Sequence, residues 1–225
     1  MEKIKNGYSY VEFANWNRRD QFLLFTQSPY PYIGVTTQVD VGQFVLRCRK
    51  NNRRFFNAML HAVMRALNSV ENFRYRMVDG TVFFCDAIDP SFTVFDKESE
   101  LFYFATAPMR DDFEEFNKGV EAAKKEALET RRLSGDRLDV AYVSCMPWMH
   151  FTDVIQPLDL SQDDSTTRIL WGKYEQRNDR LEMPLSITAH HGLVDGWHIA
   201  KFVDLLQDSL NTDATTVVIT KDETK

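Results

Sequence analysis

Cysteine is scarce in this sequence, and the positions of the few cysteines exclude two common uses of the residue. Cys48, Cys85 and Cys145 are widely separated in a chain of 225 residues, so they have neither metal-binding nor redox spacing. No metal site is therefore expected, and a reducing cytoplasm is the expected location.

Long apolar runs and an excess of positive charge are also absent. The first residues, Met1–Lys5, lack the apolar core of a signal peptide, and no apolar run approaches membrane-spanning length. The formal net charge is -6 at pH 7, so neither a nucleic acid nor a membrane is expected as a partner. Against this background there is one local basic cluster, which consists of Arg47, Arg49, Lys50, Arg53 and Arg54.

The residues that are plentiful are typical of a globular protein. Hydrophobic residues make up 44% of the chain and aromatic residues 13%, which excludes a disordered protein. The 225 residues are enough for one well-buried core and few for two. We expect a single domain over residues 1–211 and a polar tail over 212–225, in which Val217–Ile219 could add an edge strand.

Helical and strand patterns alternate irregularly along the chain. Residues 53–69 place apolar side chains on one helical face, and Asp79-Gly80 predicts a hairpin between 73–78 and 81–85. Three more helices are expected: one over 16–25, one that begins at 111 or 112, runs to about 132 and is ended by Ser134-Gly135, and a last one that ends near Asn211. The remaining expected strands are 8–13, 34–39, 101–106, 138–145, 169–174 and 180–188. Residues 152–168 are predicted to be a polar loop. This mixture indicates an α+β fold rather than a doubly wound sheet.

The most informative stretch is Ala189–His198, which holds three of the five histidines. An apolar run precedes it and an amphipathic run follows, so we predict a strand, a polar turn and a helix. His191 and Asp195 fall at the turn, where an imidazole can take a proton from an alcohol near neutral pH. Asp195 is close enough to orient the turn, and Gly196 permits a backbone conformation that other residues resist.

Two other interpretations fit this stretch. One is an ordinary strand-end turn whose histidines make structural hydrogen bonds. The other is a metal site formed by His190, His191 and Asp195. It is disfavoured because adjacent residues on a strand point to opposite faces of the sheet.

Five motifs resemble the chloramphenicol acetyltransferase family. They occur in the family's order, with similar intervals, over roughly residues 8 to 210. In chain order they are Asn15-Trp16-Asn17-Arg18-Arg19, Asp89-Pro90-Ser91-Phe92-Thr93-Val94-Phe95, Ser144-Cys145-Met146-Pro147-Trp148, the run Tyr174 to Ile187, and His190-His191-x-x-x-Asp195-Gly196-Trp197-His198.

The resemblance implies both a fold and a chemistry. The fold is a two-layer sandwich with a large mixed β-sheet flanked by helices, assembled as a homotrimer with active sites at the subunit interfaces. The chemistry is acetyl transfer from acetyl-CoA, as co-substrate, to a small-molecule hydroxyl acceptor. His191 is then the general base, and Ser144 donates a hydrogen bond to the oxyanion. Arg18 and Asp195 form a buried ion pair that supports the site.

The resemblance also assigns residues to the two substrates. Arg54 and Lys173 stand where the family has lysines, and Tyr174 where it has a tyrosine, so these three are expected to bind CoA. The acceptor pocket is expected to include Phe25, Ile33 and Phe102.

The acceptor side departs from the family pattern. Phe25 replaces a tyrosine whose hydroxyl reaches the drug, and Pro31 and Ile33 replace a cysteine and a phenylalanine. The segment 156–170 is more polar than in the family and includes Arg168 and Leu170. Loss of hydrogen-bonding groups and gain of a charge should weaken the fit to chloramphenicol, so a different hydroxyl compound is a candidate acceptor.

Two other functions compete with acetyl transfer to a small alcohol. Dihydrolipoamide acyltransferases share the fold and a similar histidine motif, but they carry lipoyl and linker segments, and this chain has no Ala/Pro-rich linker. A trimeric binding protein without catalysis is compatible with the altered pocket. It is disfavoured because His191, Asp195, Gly196, Arg18 and Ser144 are all retained.

Overall fold

The computed structural model of the protein describes residues 4–133, 137–160 and 164–212. Within these ranges, strands form one seven-stranded mixed sheet and one small three-stranded sheet. The strands are β1 (Tyr8–Tyr10), β2 (Tyr32–Asp40), β3 (Tyr75–Val78), β4 (Thr81–Cys85), β5 (Asp89–Asp96), β6 (Leu101–Thr106), β7 (Val140–Met146), β8 (Arg168–Gly172), β9 (Glu175–Arg177) and β10 (Arg180–His190). The α-helices are α1 (Arg19–Thr26), α2 (Gly42–Lys50), α3 (Phe55–Asn68), α4 (Phe113–Thr130) and α5 (Gly196–Asn211). No helix in this described part of the chain combines the length and apolarity needed to span a bilayer.

The large sheet has the order β2-β10-β8-β7-β5-β6, and β9 pairs with the beginning of β10. Strands β5, β7 and β8 are parallel to one another, whereas β10 is antiparallel to β8 and β6 is antiparallel to β5. The centre of the sheet is therefore parallel and both of its sides are antiparallel, which is a mixed sheet as predicted.

The two faces of the large sheet differ in what covers them. Along β7, Ala141 and Val143 are buried, while Tyr142 and Ser144 are only partly covered, because alternate side chains point to opposite faces. Helix α3 lies against the first face, where its Phe56 ring is 5.8 Å from that of Phe92 in β5. The predicted apolar stripe of α3 is part of this core, and five of its side chains have no exposed area: Met59, Leu60, Val63, Met64 and Leu67.

The predicted hairpin between β3 and β4 is present in the small sheet, whose order is β1-β4-β3. Asp79 and Gly80 have φ angles of 48° and 72°. A two-residue turn with both central φ angles positive matches the right-handed twist of the flanking strands, and Asp-Gly tolerates that conformation best.

The first predicted helix, 16–25, was wrong in its beginning. A 3-10 turn, Phe13–Asn15, follows the short strand β1, and α1 begins only at Arg19. Trp16 is extended because its indole packs in the core, 5.2 Å from the Tyr75 ring. This tertiary contact overrides the local helical preference.

Other boundaries also differ from the expectations. Helix α2 was not predicted, although it carries three of the basic residues noted in the sequence and buries Phe44, Val45 and Cys48. Helix α4 ends at Thr130, with Arg131 in the left-handed conformation at φ 52°. The expected stop at Ser134-Gly135 and the expected edge strand at 217–219 lie outside the described residues, as does the rest of the tail after Thr212.

Two residues explain how β10 crosses the sheet despite a proline. Pro184 lies opposite Gln38 of β2, and on its other side it falls between the part of β10 that pairs with β9 and the part that pairs with β8, so it has no partner residue in either of those strands. Gly172, at the end of β8, lies against it. A Cβ on Gly172 would be 2.7 Å from Pro184 Cγ and 2.9 Å from the Met149 carbonyl oxygen, so only glycine fits there.

Candidate active site

The turn that joins β10 to α5 is held by Asp195, the N-cap of that helix. Its carboxylate accepts a hydrogen bond from the Trp197 backbone N–H at 3.1 Å. The Asp195 N–H donates in turn to Nδ1 of His198 at 3.1 Å, which completes a reciprocal cap. Two of the otherwise unpaired amides at this helix end are thus satisfied, and the turn is fixed at its C-terminal side.

The other side of the turn is held by Arg18, which lies just before α1. Its guanidinium donates to the carbonyl oxygens of Gly192 at 2.8 Å and His191 at 2.9 Å, and to Asp195 Oδ2 at 2.8 Å. The exposed fractions of the two side chains are 10% for Arg18 and 35% for Asp195, so the pair is buried on the arginine side and reaches the surface on the carboxylate side.

The charge of Asp195 is stabilised by these neighbours. Burial acts to raise the pKa of its carboxyl group, but the hydrogen bond and positive charge of Arg18 hold that pKa below its usual value, with help from the Trp197 amide. Asp195 is therefore an anion near neutral pH and binds the guanidinium as a true ion pair. Its contacts are to the turn and to Arg18, which is a structural arrangement.

His191 is oriented from two sides within this turn. Its Nδ1 lies 3.1 Å from the Val194 carbonyl oxygen, and its backbone N–H donates to the Pro31 carbonyl oxygen at 2.7 Å. A carbonyl oxygen only accepts, so Nδ1 carries the proton and a neutral ring has its lone pair on Nε2. The Phe25 ring stacks on the imidazole with centroids 3.9 Å apart and planes at 16°.

Ser144 lies on β7, on the sheet face that the helices leave uncovered. It lines a cavity of about 1350 Å³ that also contains Thr93, Phe102, Arg168 and Leu170. Its hydroxyl oxygen is 2.8 Å from the Thr93 hydroxyl oxygen of β5. The cavity also contains a buried hydroxyl group, that of Ser91, which has no hydrogen-bond partner among the described residues.

His191 and Ser144 are far apart within one chain. Ser144 pairs with Leu170 of β8, which pairs with Ser186 of β10, and His191 follows five residues later. Two spacings between strands and the rise of five residues along β10 together put the Cα atoms of the two residues about 19 Å apart. One chain therefore carries two half-sites, one around the His191 imidazole and one around the Ser144 hydroxyl.

The predicted acceptor-pocket residues are divided between these halves. Phe25 stacks on His191, and Ile33 pairs with Ala189, the second residue before His191. Phe102 lies on β6 at the opposite side of the sheet, in the Ser144 cavity, with its ring 5.6 Å from that of Phe104. The structure therefore places Phe25 and Ile33 on the His191 side of the sheet and Phe102 on the Ser144 side.

Arg168 lies in the wall of the Ser144 cavity, as its place in the acceptor segment suggested. It forms an ion pair with Asp164, and both side chains are 10% exposed. It also donates to the Thr166 carbonyl oxygen at 3.0 Å and lies 5.4 Å from the Tyr142 ring centroid. The charge is thus compensated and held rigidly, so it gives the cavity a polar wall.

The predicted CoA-binding residues gather at one rim, beyond the C-terminal ends of β7 and β8. Lys173 and Tyr174 follow β8 directly, and the Tyr174 ring is 5.4 Å from that of Phe55, the neighbour of Arg54. Arg54 is paired with Glu121 on α4, whereas Lys173 is exposed and has no ion pair with a described residue. Lys173 thus lies level with the position three residues after Ser144 in the direction of β7.

Sequence reasoning missed the partner of Ser144. Thr93 appeared only as one letter of the Asp89–Phe95 motif, and no role was assigned to it. The available signal was a second hydroxyl residue two positions after Ser91, and therefore on the same face of the strand. A metal site is a separate question. Within the described ranges, no group of three or more His, Cys, Asp or Glu residues is arranged to hold a metal ion.

Solved structures with a similar fold define the class of protein. A chloramphenicol acetyltransferase structure matches with a TM-score of 0.80 at 28% identity, covering 91% of this chain and 100% of that chain. A probable dihydrolipoamide acetyltransferase from Listeria monocytogenes matches with a TM-score of 0.63 at 13% identity, over 89% of this chain and 95% of that one. The second likeness shows a shared fold alone. The fold is that of the two-layer acetyltransferases.

The family is defined by the sequence comparisons. The model of the chloramphenicol acetyltransferase family matches residues 6–207. Curated chloramphenicol acetyltransferases from a Klebsiella species and from Escherichia coli are 28% and 29% identical over 211 and 213 residues, covering 92% of this chain and 95% of each relative. The chain belongs to the chloramphenicol acetyltransferase family. The predicted resemblance, fold class and enzyme class are thereby confirmed.

Proposed function

We propose that the protein transfers the acetyl group of acetyl-CoA to a hydroxyl group of a small molecule, with chloramphenicol as the first acceptor to test. The observation that carries the proposal is the His191 imidazole, held with its proton on Nδ1 by the Val194 carbonyl oxygen. An acyl transfer to an alcohol needs a base beside the hydroxyl, and Nε2 has the lone pair for that task.

The reaction follows from the two half-sites. Nε2 of His191 accepts the proton of the acceptor hydroxyl while that oxygen attacks the thioester carbonyl carbon of acetyl-CoA. The resulting tetrahedral oxyanion accepts a hydrogen bond from the Ser144 hydroxyl, a kind of contact that often stabilises a transition state by about 3 kcal/mol. The C–S bond then breaks, the imidazolium returns the proton to the CoA sulfur, and the acetyl ester and free CoA leave.

Arg18 and Asp195 support this chemistry without touching the reacting atoms. They fix the backbone carbonyls of the turn and so the direction of the His191 ring. The stacked Phe25 ring restricts the remaining rotation of the imidazole. In this proposal Arg54, Lys173 and Tyr174 bind CoA at the rim beyond β8, where basic groups suit its phosphates.

The separation of the half-sites supports an assembly. Two groups about 19 Å apart cannot act on one acetyl group, which requires contacts of about 3 Å to both. A second copy of the chain would have to supply Ser144 to the His191 half-site. We propose a homotrimer with one such shared site at each interface; a closed three-membered ring pairs every His191 half-site with a Ser144 half-site. Sedimentation equilibrium of the purified protein should give three times the 26.3 kDa chain mass.

A different acceptor is the second candidate function, and a specific observation favours it. The wall of the cavity around Ser144 includes Arg168, whose charge is paired with Asp164, and the residue Ser91, whose buried hydroxyl has no hydrogen-bond partner among the described residues. Phe25 also lacks a hydroxyl group that could reach an acceptor beside His191. These changes in charge and in hydrogen-bonding groups favour a hydroxyl compound other than chloramphenicol.

The test is release of free thiol from acetyl-CoA, with chloramphenicol and a panel of polar alcohols as acceptors. The control is His191→Gln, which keeps a side chain of similar size but cannot take the proton. Turnover by the parent with any acceptor and its loss in the variant would support acetyl transfer by His191. Equal turnover by both proteins would contradict the assigned base, and acetyl-CoA binding without any turnover would favour the binding-protein alternative.

A further inference from the structure

We infer that Thr93 is the positioning residue for the oxyanion-binding hydroxyl of Ser144, acting as the donor of the hydrogen bond that joins the two hydroxyl groups. The inference rests on the oxyanion role proposed above for Ser144. Thr93 belongs to β5 and Ser144 to β7, and their hydroxyl oxygens are 2.8 Å apart on the uncovered face of the sheet. Both residues line the same cavity.

The surroundings of Ser144 leave Thr93 as the group that can orient it. On the β8 side, the register neighbour of Ser144 is Leu170, which has no hydrogen-bonding side chain. On the β5 side, the parallel register continues from Phe92 opposite Val143 to Thr93 opposite Ser144. A serine rotates freely about its χ1, whereas the β-branched threonine is stiff on a strand, so Thr93 fixes the direction of a mobile hydroxyl.

The direction of the hydrogen bond follows from the chemistry. A hydroxyl group has one proton to donate and two lone pairs to accept with. When an oxyanion is present, the Ser144 proton goes to that negative charge, because a hydrogen bond to an ion is stronger than one to a neutral oxygen. The contact between the two residues then remains only if Thr93 donates and Ser144 accepts. A donor that also accepts is polarised and donates more strongly, so Thr93 would increase the stabilisation that Ser144 provides.

The experiment is a double-mutant cycle read as kcat and as KM for acetyl-CoA. Thr93→Val keeps the β-branched shape and the strand preference but removes the hydroxyl, and Thr93→Ser keeps the hydroxyl. The activity is free thiol release from acetyl-CoA with chloramphenicol as acceptor, repeated with water as acceptor, since hydrolysis forms the same oxyanion. We expect Ser144→Ala to lower kcat about 100- to 1000-fold. Thr93→Val should lower it about fivefold to tenfold, with KM for acetyl-CoA unchanged and recovery in Thr93→Ser.

The cycle separates this inference from the function on which it rests. In the Ser144→Ala background, Thr93→Val should have no further effect on kcat, because its partner is gone. Two results would overturn the inference and leave the oxyanion role of Ser144 intact. One is that Thr93→Val lowers kcat equally in the parent and in the Ser144→Ala background. The other is that Thr93→Val keeps the parental kcat although Ser144→Ala is slow. Parental kcat in Ser144→Ala, or no thiol release by the parent with either acceptor, would overturn the proposed function itself and the inference with it.

Discussion

Removal of the Arg18 guanidinium should destabilise the protein far more than neutralisation of its partner Asp195. Arg18→Met keeps the unbranched apolar stem of the side chain but removes three hydrogen bonds, to the carbonyl oxygens of Gly192 and His191 and to the carboxylate. Because Arg18 is 10% exposed, water cannot replace these partners fully, and we expect a loss of about 3 kcal/mol. For a chain of this size that loss corresponds to a Tm lower by about 6–12 °C.

Asp195→Asn should cost less, about 1 kcal/mol, for two structural reasons. The carboxylate is 35% exposed, so solvent already screens its charge. An asparagine oxygen can still accept the Trp197 N–H and so retain the helix cap. Both variants should also lower kcat, because the turn that holds His191 loosens.

The measurement is Tm by calorimetry at a fixed protein concentration, with kcat followed by thiol release. Arg18→Lys is the matched control: it retains the positive charge but lacks the planar fork, so its Tm should fall between those of the parent and Arg18→Met. Equal losses in Arg18→Met and Asp195→Asn would refute the view that Arg18 acts mainly through the two carbonyl groups. A parental Tm in both would refute the structural role of the pair.

Three further predictions concern stability. Burial lowers the pKa of His61, although its hydrogen bond to the Arg110 carbonyl oxygen acts to raise it, so the unfolded chain binds the proton more tightly than the folded one. This contribution to stability is complete above about pH 6.5 and is lost as the pH falls below that value. In urea titrations at pH 7 and pH 5, His61→Gln should lose less stability between the two pH values than the parent, and equal losses would contradict this. Gly172→Ala should lower the free energy of unfolding by about 2–3 kcal/mol, because the added Cβ clashes with Pro184. Gly119→Ala is the control: it lies inside α4, where a Cβ has room, and should raise the free energy of unfolding by about 0.5–1 kcal/mol. A parental free energy of unfolding in Gly172→Ala would contradict the tight packing. Arg47→Ala should lower Tm by a few degrees, because Arg47 donates to carbonyl oxygens at the C-terminal end of α5, and an unchanged melting curve would show that this cap contributes nothing.

The parts of the fold that sequence reasoning found are those set by local interactions. The stripe of α3 repeats with the helical period, and Asp79-Gly80 suits a turn with two positive φ angles. Helix α2 was missed because it is short and more than a third of its residues are basic or glutamine, which hides its buried Phe44 and Val45. The parallel pairing of β5, β7 and β8 was not predicted from the pattern either, since parallel strands are joined by long connections that leave no local signal.

The same distinction applies to the candidate site. His191 and Asp195 were found because they lie four positions apart in one turn, and Arg18 was assigned through the resemblance. The contact of Thr93 with Ser144 joins residues 51 positions apart and depends on the register of two parallel strands. The division of the predicted pocket residues into two half-sites was likewise invisible in the sequence, because it follows from the order of the strands in the sheet.

The central claim is that His191 and Ser144 from different copies of the chain act on one acetyl group. The direct test is to co-express His191→Ala and Ser144→Ala chains with different affinity tags and to purify the oligomers that carry both. Each variant alone should be nearly inactive, and any mixed ring of three has one interface with both residues intact. Such mixed trimers should therefore show about one third of the parental kcat. Mixed oligomers as inactive as either variant alone, while parent chains with the same two tags keep full activity, would contradict the shared site.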